Sequence, residues 1–269
     1  MMRALGTPIL DLGTTSGSAL LISDLHVPAD GGVVLVRLRA AVAAATAARA
    51  DLFVLGDLFD SYVCRAQVRH GVWRDVAAMF AEAAAAGVRI VLLHGNRDFL
   101  LGAEFERHSR ARVVAGGVKV VLGGVPTLLL HGDELCVNDL PYQRAKRWLR
   151  SAPVRWLARS LPLAVALRVA ARARAKSRMV IASGDQSRFL PTQAAVAAAF
   201  AVGVRRLVFG HIHRHAHGAF GDGDYWILPA FDEAGVGLRV DTAVAPLAFA
   251  PGAGPPEPTA VPPTFPFTA

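Results

Sequence analysis

Five short segments of this 269-residue chain place carboxylates, imidazoles and an amide directly after apolar runs. They are Asp24-Leu25-His26, Gly56-Asp57-Leu58-Phe59-Asp60, Gly95-Asn96-Arg97-Asp98, His131-Gly132-Asp133 and Gly210-His211-Ile212-His213. Asp24 with His26, and His211 with His213, are spaced i and i+2, so an extended backbone would turn both members of each pair to one side. Carboxylate, imidazole and amide donors suit Mn²⁺, Fe or Zn²⁺ better than a soft thiolate site would. Two such ions about 3.5–4 Å apart, sharing one carboxylate, would activate a water against a phosphoryl group. His70, His108, His215 and His217 lack this setting and read as surface or supporting residues.

The elements that must position these residues are short and apolar. Ala19–Ser23, Leu52–Gly56, Arg89–Leu93, Thr127–Leu130 and Arg206–Gly210 read as buried strands. Ala-rich segments of helical composition lie between several of them, at Val34–Ala50, Val72–Ala86 and Thr192–Ala201. Strand and helix alternation of this kind predicts an α/β domain with its chemistry at the carboxyl ends of strands. Lys119–Leu122 and Thr127–Leu130 suggest a hairpin across Gly123–Pro126, and Tyr225–Leu228 and Val236–Val240 suggest further strands. Seven prolines between Pro251 and Ala269 predict an extended or mobile arm.

Composition bounds the alternatives. Hydrophobic residues make up 53% and charged residues 19% of the chain, which excludes a wholly disordered or collagen-like polymer. Two cysteines, Cys64 and Cys136, give no disulfide framework and suit a reducing compartment, with the cytoplasm as the expectation. No window supplies the roughly 20 uncharged apolar residues of a membrane span. The net charge of +8 is unevenly placed. Between Leu140 and Gly184 there are eleven Lys or Arg and no Asp or Glu, leaving −3 for the rest of the chain. Trp148, Trp156, Leu157, Leu161, Leu163 and Val165 share that stretch, mostly at helical spacing, so it reads as basic amphipathic helices awaiting an anionic partner. Two Trp on the apolar face favour a lipid-related partner over nucleic acid, which is not expected to bind.

The ordered set of strand-end segments resembles the calcineurin-like metallophosphoesterases, whose pattern is DxH, GDxxD, GN[HR][DE], a later strand-end His and GHxH. The resemblance covers residues 19–214 and implies two packed β-sheets flanked by helices. It implies that Asp24, His26, Asp57 and His213 hold one ion and that Asp57, Asn96, His131 and His211 hold the other, with Asp57 bridging. Most of that family has His where this chain has Arg97. A leaving phosphate, with a second pKa near 6, needs no protonation by such a His, and a guanidinium offers a planar fork to phosphate oxygens. A pyrophosphate bond is therefore the expected scissile linkage.

The stretches His94 to Gly102, His131 to Cys136 and Asp139 to Gln143, followed by the basic apolar insertion, are similar to those of the UDP-2,3-diacylglucosamine hydrolase family of lipid A biosynthesis. That resemblance implies hydrolysis of UDP-2,3-diacylglucosamine to UMP and 2,3-diacylglucosamine 1-phosphate (lipid X) with two Mn²⁺ ions. It also implies a helical cap at about 140–190 that holds the acyl chains, and peripheral attachment to the anionic cytoplasmic face of the inner membrane. By the same resemblance Asp57, Asn96, Arg97 and His211 are catalytic, and Asn96, Arg97, Asp139, Tyr142, Ser177 and His211 contact substrate. Past Ser177 the chain carries Ile181 and Gly184 where that family usually has Asn and Lys, and Pro229–Asp232 also departs from its pattern. The expected organisation is an N-terminal extension over 1–18, the catalytic domain with its cap over 19–250 and a proline-rich tail over 251–269. The competing readings are another pyrophosphatase or phosphodiesterase acting on a nucleotide or lipid-linked substrate and, more remotely, a nucleic-acid-binding nuclease or non-catalytic scaffold.

Overall fold

The computed structural model describes residues 2–15, 17–172, 186–250 and 255–268. Two seven-stranded sheets pack face to face with helices on their outer surfaces. One sheet runs β14 (Glu257–Pro258), β13 (Val244–Ala248), β12 (Val236–Val240), β3 (Ala19–Ile22), β4 (Asp51–Val54), β5 (Ile90–Leu93), β6 (Arg112–Val114). The other runs β1 (Met2–Ala4), β2 (Thr7–Thr14), β7 (Gly117–Leu122), β8 (Val125–Leu129), β9 (Arg206–Phe209), β11 (Gly223–Ile227), β10 (Ala216–Phe220).

The period of two along each strand sorts side chains between two cores. Leu20 and Ile22 of β3, Val54 of β4 and Leu92 of β5 face α1 (Gly32–Ala48), α2 (Gly71–Ala85) and α3 (Ala103–Ser109), where Leu38, Phe80 and Phe105 meet them. Their neighbours Leu21, Phe53, Val91 and Leu93 point the other way, onto Val118, Val120, Leu129 and Val208 of the second sheet. The outer face of that sheet carries Leu128, Leu207, Phe209 and Ile227, which bury Ala195, Val196 and Ala199 of α7 (Gln193–Phe200). Strands covered on both faces lose the polar alternation of a half-exposed strand, which is why β3 reads as an unbroken apolar run.

β3 to β6 are parallel, and β8 is parallel to β9, so the carboxyl ends that carry the flagged segments gather at one end of the sandwich. The insertion after β8 forms α4 (Leu140–Leu149), α5 (Ala152–Ser160) and a further helix, α6, over 163–172. A short helix, α8 (Phe231–Ala234), follows β11. No helix among the described residues is long and apolar enough to cross a membrane.

Two expectations need correction. Over its described residues the 1–18 segment is not an appendage, because β2 pairs in parallel with β7 and buries Ile9. The proline-rich tail is not a loose arm over its described residues. β14 pairs with β13, and Phe265 and Phe267 pack on the outer core of the second sheet. Proline fixes an extended backbone without deciding whether it is docked; the two phenylalanines supply the docking.

Candidate metal centre

The ligand-type residues leave their strands immediately after the last ladder bond, and the chain turns sharply there. Asp24, His26, Asp57, His211 and His213 all have left-handed backbones, with φ of 54°, 46°, 51°, 69° and 51°. The i, i+2 pairs are therefore not on extended backbone, as their spacing suggested. The turn lets Leu25 N and His26 N both donate to Asp57 O at 3.0 and 2.9 Å, and Val27 N to Leu58 O at 3.0 Å. These bonds hold the two loops together against the conformational cost.

Asp57 sits at the middle. Its Oδ1 accepts from Arg97 N at 2.9 Å, while its Oδ2 lies 3.3 Å from His26 Nε2, 3.9 Å from His131 Nε2 and 3.6 Å from Arg97 Nε. The Asn96 amide lies 2.6 and 3.2 Å from the two Asp57 oxygens, in the orientation whose nitrogen donates to them. Asp24 Oδ2 takes the Ser23 hydroxyl at 2.6 Å and His211 N at 2.8 Å, which leaves Oδ1 facing His213 Nε2 at 3.6 Å and His26 Nε2 at 4.0 Å. The His211 ring stands against that of His131, centroids 5.0 Å apart. Two ligand groups thus share one corner: Asp24, His26 and His213, and Asp24, Asp57 and His131, each with donor atoms within 4.8 Å of one another.

The close approach depends on glycine. A Cβ at Gly95 would fall 2.0 Å from Asp57 Oδ1 and 2.3 Å from Asp57 N, and one at Gly210 would fall 2.0 Å from Ser23 Oγ. Asp98, fully buried, pins the same loop by accepting from Gly95 N at 2.9 Å and Leu58 N at 2.7 Å. Burial, and then the Asp57 charge, push its carboxyl up to about 7.

The electrostatics fit cations. Burial alone would raise Asp24 and Asp57, but the surrounding imidazoles reverse it and hold both carboxyls below the ordinary range. Burial disfavours a charged His26, yet Asp232 and Asp57 lift it to about 10; the carboxylates similarly lift buried His131 to about 9. Protons on these rings balance the carboxylates, as metal ions would. His211, buried beside His131, is pushed down to about 4. His131 Nδ1 meets the Leu55 carbonyl at 2.8 Å and must donate to it, so a cation that replaced the other ring proton would find the Nε2 lone pair facing the centre. His131 Nε2 and Asp24 Oδ1 are buried without hydrogen-bond partners among the described residues. Orphaned acceptors in a mixed oxygen and imidazole set are what divalent ions would satisfy.

The structure places the remaining flagged residues around this centre. Arg97 Nη1 donates to Asp60 Oδ1 at 2.9 Å, with the guanidinium about one-third exposed. Asp139 caps α4, accepting from Tyr142 N at 3.4 Å. The Tyr142 hydroxyl donates to buried Asp133, which also holds Lys146 Nζ at 2.9 Å. Ser177 lies outside the described residues. Asp232 and Arg150 are additions that motif reading missed. Asp232 Oδ2 is 3.0 Å from His26 Nδ1, orienting that ring, and it too follows a strand end, after β11. Arg150 donates to Gly95 O at 3.0 Å and so ties α4 to the Asn96 loop; nothing in its local sequence marks it among ten other basic residues of the insertion.

The family model for calcineurin-like phosphoesterases matches residues 18–215. The chain is 37% identical over 201 residues to the UDP-2,3-diacylglucosamine hydrolase of Azotobacter vinelandii, covering 74% of this chain and 83% of that protein. It is 34% identical over 239 residues to the protein of that name from Ralstonia nicotianae, covering 85% and 88%. Against the one from Pseudomonas aeruginosa it is 35% identical over 230 residues, covering 83% and 95%. With the ligand loops at the carboxyl ends of two packed sheets and relatives aligned over most of its length, the chain belongs to the calcineurin-like phosphoesterase family.

Proposed function

We propose that this protein hydrolyses the pyrophosphate bond of UDP-2,3-diacylglucosamine, giving UMP and 2,3-diacylglucosamine 1-phosphate in lipid A biosynthesis. The observation that carries the reading is the convergence of His26, Asn96 and His131 on Asp57 and of His26 and His213 on the adjoining Asp24, with Arg97 standing beside Asp57. Asp24, His26, Asp57 and His213 would hold one Mn²⁺ ion, and Asp57, Asn96, His131 and His211 a second. When bound, such ions supply Lewis-acid polarisation of a phosphoryl oxygen and lower the pKa of a water.

The chain's own groups account for the rest. Arg97 lies against Asp57 with its fork partly open to solvent, where it can take up the equatorial oxygens of a phosphoryl group as charge grows on them. Water adds to the α-phosphorus, and the bridging oxygen leaves with the sugar 1-phosphate. That leaving group is weakly basic at neutral pH, so a proton donor in the place of Arg97 is dispensable.

The cap suits the lipid half. Trp148, Trp156 and Leu157 are 66%, 72% and 59% exposed on helices rich in Arg and Lys. Apolar rings between cations are the chemistry of an interfacial surface, which supports peripheral attachment to the anionic inner leaflet. The test follows UMP release from UDP-2,3-diacylglucosamine by the purified protein with Mn²⁺ and with chelator. Mn²⁺-dependent release is expected, and absence of release with full metal occupancy would overturn the assignment.

A further inference from the structure

His213 also lines a cavity of about 540 Å³, walled by His215, Pro229, Ala234, Pro263 and Phe265. Part of this wall is the C-terminal tail, and the tail is fixed in place. Pro263 O accepts from His217 N at 3.0 Å, and the Tyr225 hydroxyl donates to Phe265 O and accepts from Phe265 N, both at 2.9 Å. Beyond them Thr268 bridges to Thr192, and its carbonyl accepts from Gln193 N at 2.8 Å. The tail is a strap anchored on either side of the segment that faces the cavity.

Beside His213, the polar equipment of the cavity is Arg214, Glu233, Thr264 and His215. His215 Nε2 is buried without a hydrogen-bond partner among the described residues. A buried ring nitrogen left unsatisfied is costly, and a ligand group can offset that cost. The volume falls in the range of about 300–1,000 Å³ typical of small-molecule pockets.

We propose that this cavity seats the nucleoside end of the substrate and that the C-terminal strap shapes it, an inference that rests on the hydrolase reading above. Proline and phenylalanine surfaces suit a flat base and a sugar ring, His215 offers a hydrogen bond to either, Glu233 suits vicinal hydroxyls and Arg214 suits a phosphate. The acyl half has a different place, because α4 is anchored on the loops at 95–99 and 131–136 through Arg150, Lys146 and Tyr142. The cavity is built instead from 213–216, 229–234 and the strap. A substrate straddling the centre would leave it in two directions, lipid under the cap and uridine toward the strap.

The experiment measures inhibition by UMP of bis(4-nitrophenyl) phosphate hydrolysis, a substrate without a nucleoside, in the Mn²⁺-loaded protein, with saturation-transfer NMR of UMP and uridine as the direct binding readout. Ala234→Trp fills the cavity from an exposed position on α8, and His215→Ala removes the free ring nitrogen. The UMP inhibition constant should rise about fivefold for His215→Ala and about tenfold or more for Ala234→Trp. Turnover of the UDP-lipid relative to the aryl ester should fall in parallel, and saturation transfer to the ribose and uracil protons should weaken. UMP inhibition unchanged in both variants, or no UMP binding to the wild type, overturns the subsite while UMP release from the UDP-lipid still stands or falls separately. A wild type that binds UMP in a variant-sensitive way yet releases none from the UDP-lipid keeps the subsite and refutes the hydrolase reading.

Discussion

Asp232 is the residue through which the metal centre can be perturbed without touching a proposed ligand. Its carboxylate lies 3.0 Å from His26 Nδ1 and fixes that ring so that Nε2 faces Asp57 at 3.3 Å. The backbone around it is held independently: Arg37 Nη1 donates to Asp232 O, and Phe231 N donates to Asp24 O at 3.0 Å. Truncating the side chain should leave the loop in place and release only the His26 ring. Loss of a carboxylate behind a metal-ligating histidine costs about 10–100-fold in metal affinity, or roughly 1.4–2.7 kcal/mol. Asp232→Ala should therefore weaken Mn²⁺ binding by about that factor in isothermal titration calorimetry, with turnover recovering as Mn²⁺ is raised. Asp232→Asn keeps an acceptor but loses the charge. A charged hydrogen bond exceeds a neutral one by about 1 kcal/mol, so its effect should be nearer fivefold. An Asp232→Ala protein with wild-type melting temperature and Mn²⁺ affinity within about twofold of wild type would refute the orienting role.

Other perturbations read different parts of the same corner. Gly95→Ala drives a methyl to 2.0 Å from Asp57 Oδ1, where neither loop can give, so hydrolysis should be lost and the melting temperature should drop. Arg97→Lys keeps the charge but loses the planar fork, and kcat should fall about 10²-fold with little change in Mn²⁺ affinity. Lys146→Met leaves buried Asp133, among the described residues, with the Tyr142 hydroxyl and the more distant Arg150, 3.9 Å away. Breaking such a pair costs about 3 kcal/mol, and a melt should shift down by about 6–10 °C.

Much of the site was legible because each ligand segment follows an apolar run, and a run buried on both faces is hard to mistake. The carboxyl-end rule then put five separated segments in one place, and the coordinates bring them around the Asp24 and Asp57 pair. What escaped did so for identifiable reasons. β2 carries Pro8, Asp11 and Gly13 and is interrupted by a register shift between Asp11 and Thr14, so it has no clean period. Its place comes from pairing with β7, a partner about a hundred residues away. The strap reads as a proline-rich arm because proline reports backbone shape and says nothing of contact; only the spacing of Phe265 and Phe267, two residues apart, hints at one face laid on a core. The Tyr142 hydroxyl is engaged by Asp133, a residue whose burial no local pattern reveals.

The left-handed turns were invisible for a deeper reason, and they carry their own test. Aspartate and histidine enter that region more often than most side chains, but an L-residue there is still disfavoured by about 1–2 kcal/mol. Five such positions stand around one centre at the expense of local preference, with the loops at 24–27 and 57–58 held by the bonds to Asp57 O and Leu58 O and His211 held by its N–H to Asp24 Oδ2. The donors are thereby fixed in advance of any cation. It follows that removing a ligand should separate stability from function. At His213, with φ 51° and a side chain one-third exposed, glycine accepts the backbone and alanine does not. Both His213→Gly and His213→Ala should lose turnover and bind Mn²⁺ weakly. The metal-free glycine variant should nevertheless melt about 2–4 °C above the alanine variant, the equivalent of about 1 kcal/mol in a domain of this size. Equal melting temperatures would mean that His213 bears no backbone strain, and the picture of a centre held in a preset, disfavoured conformation would fail at that residue.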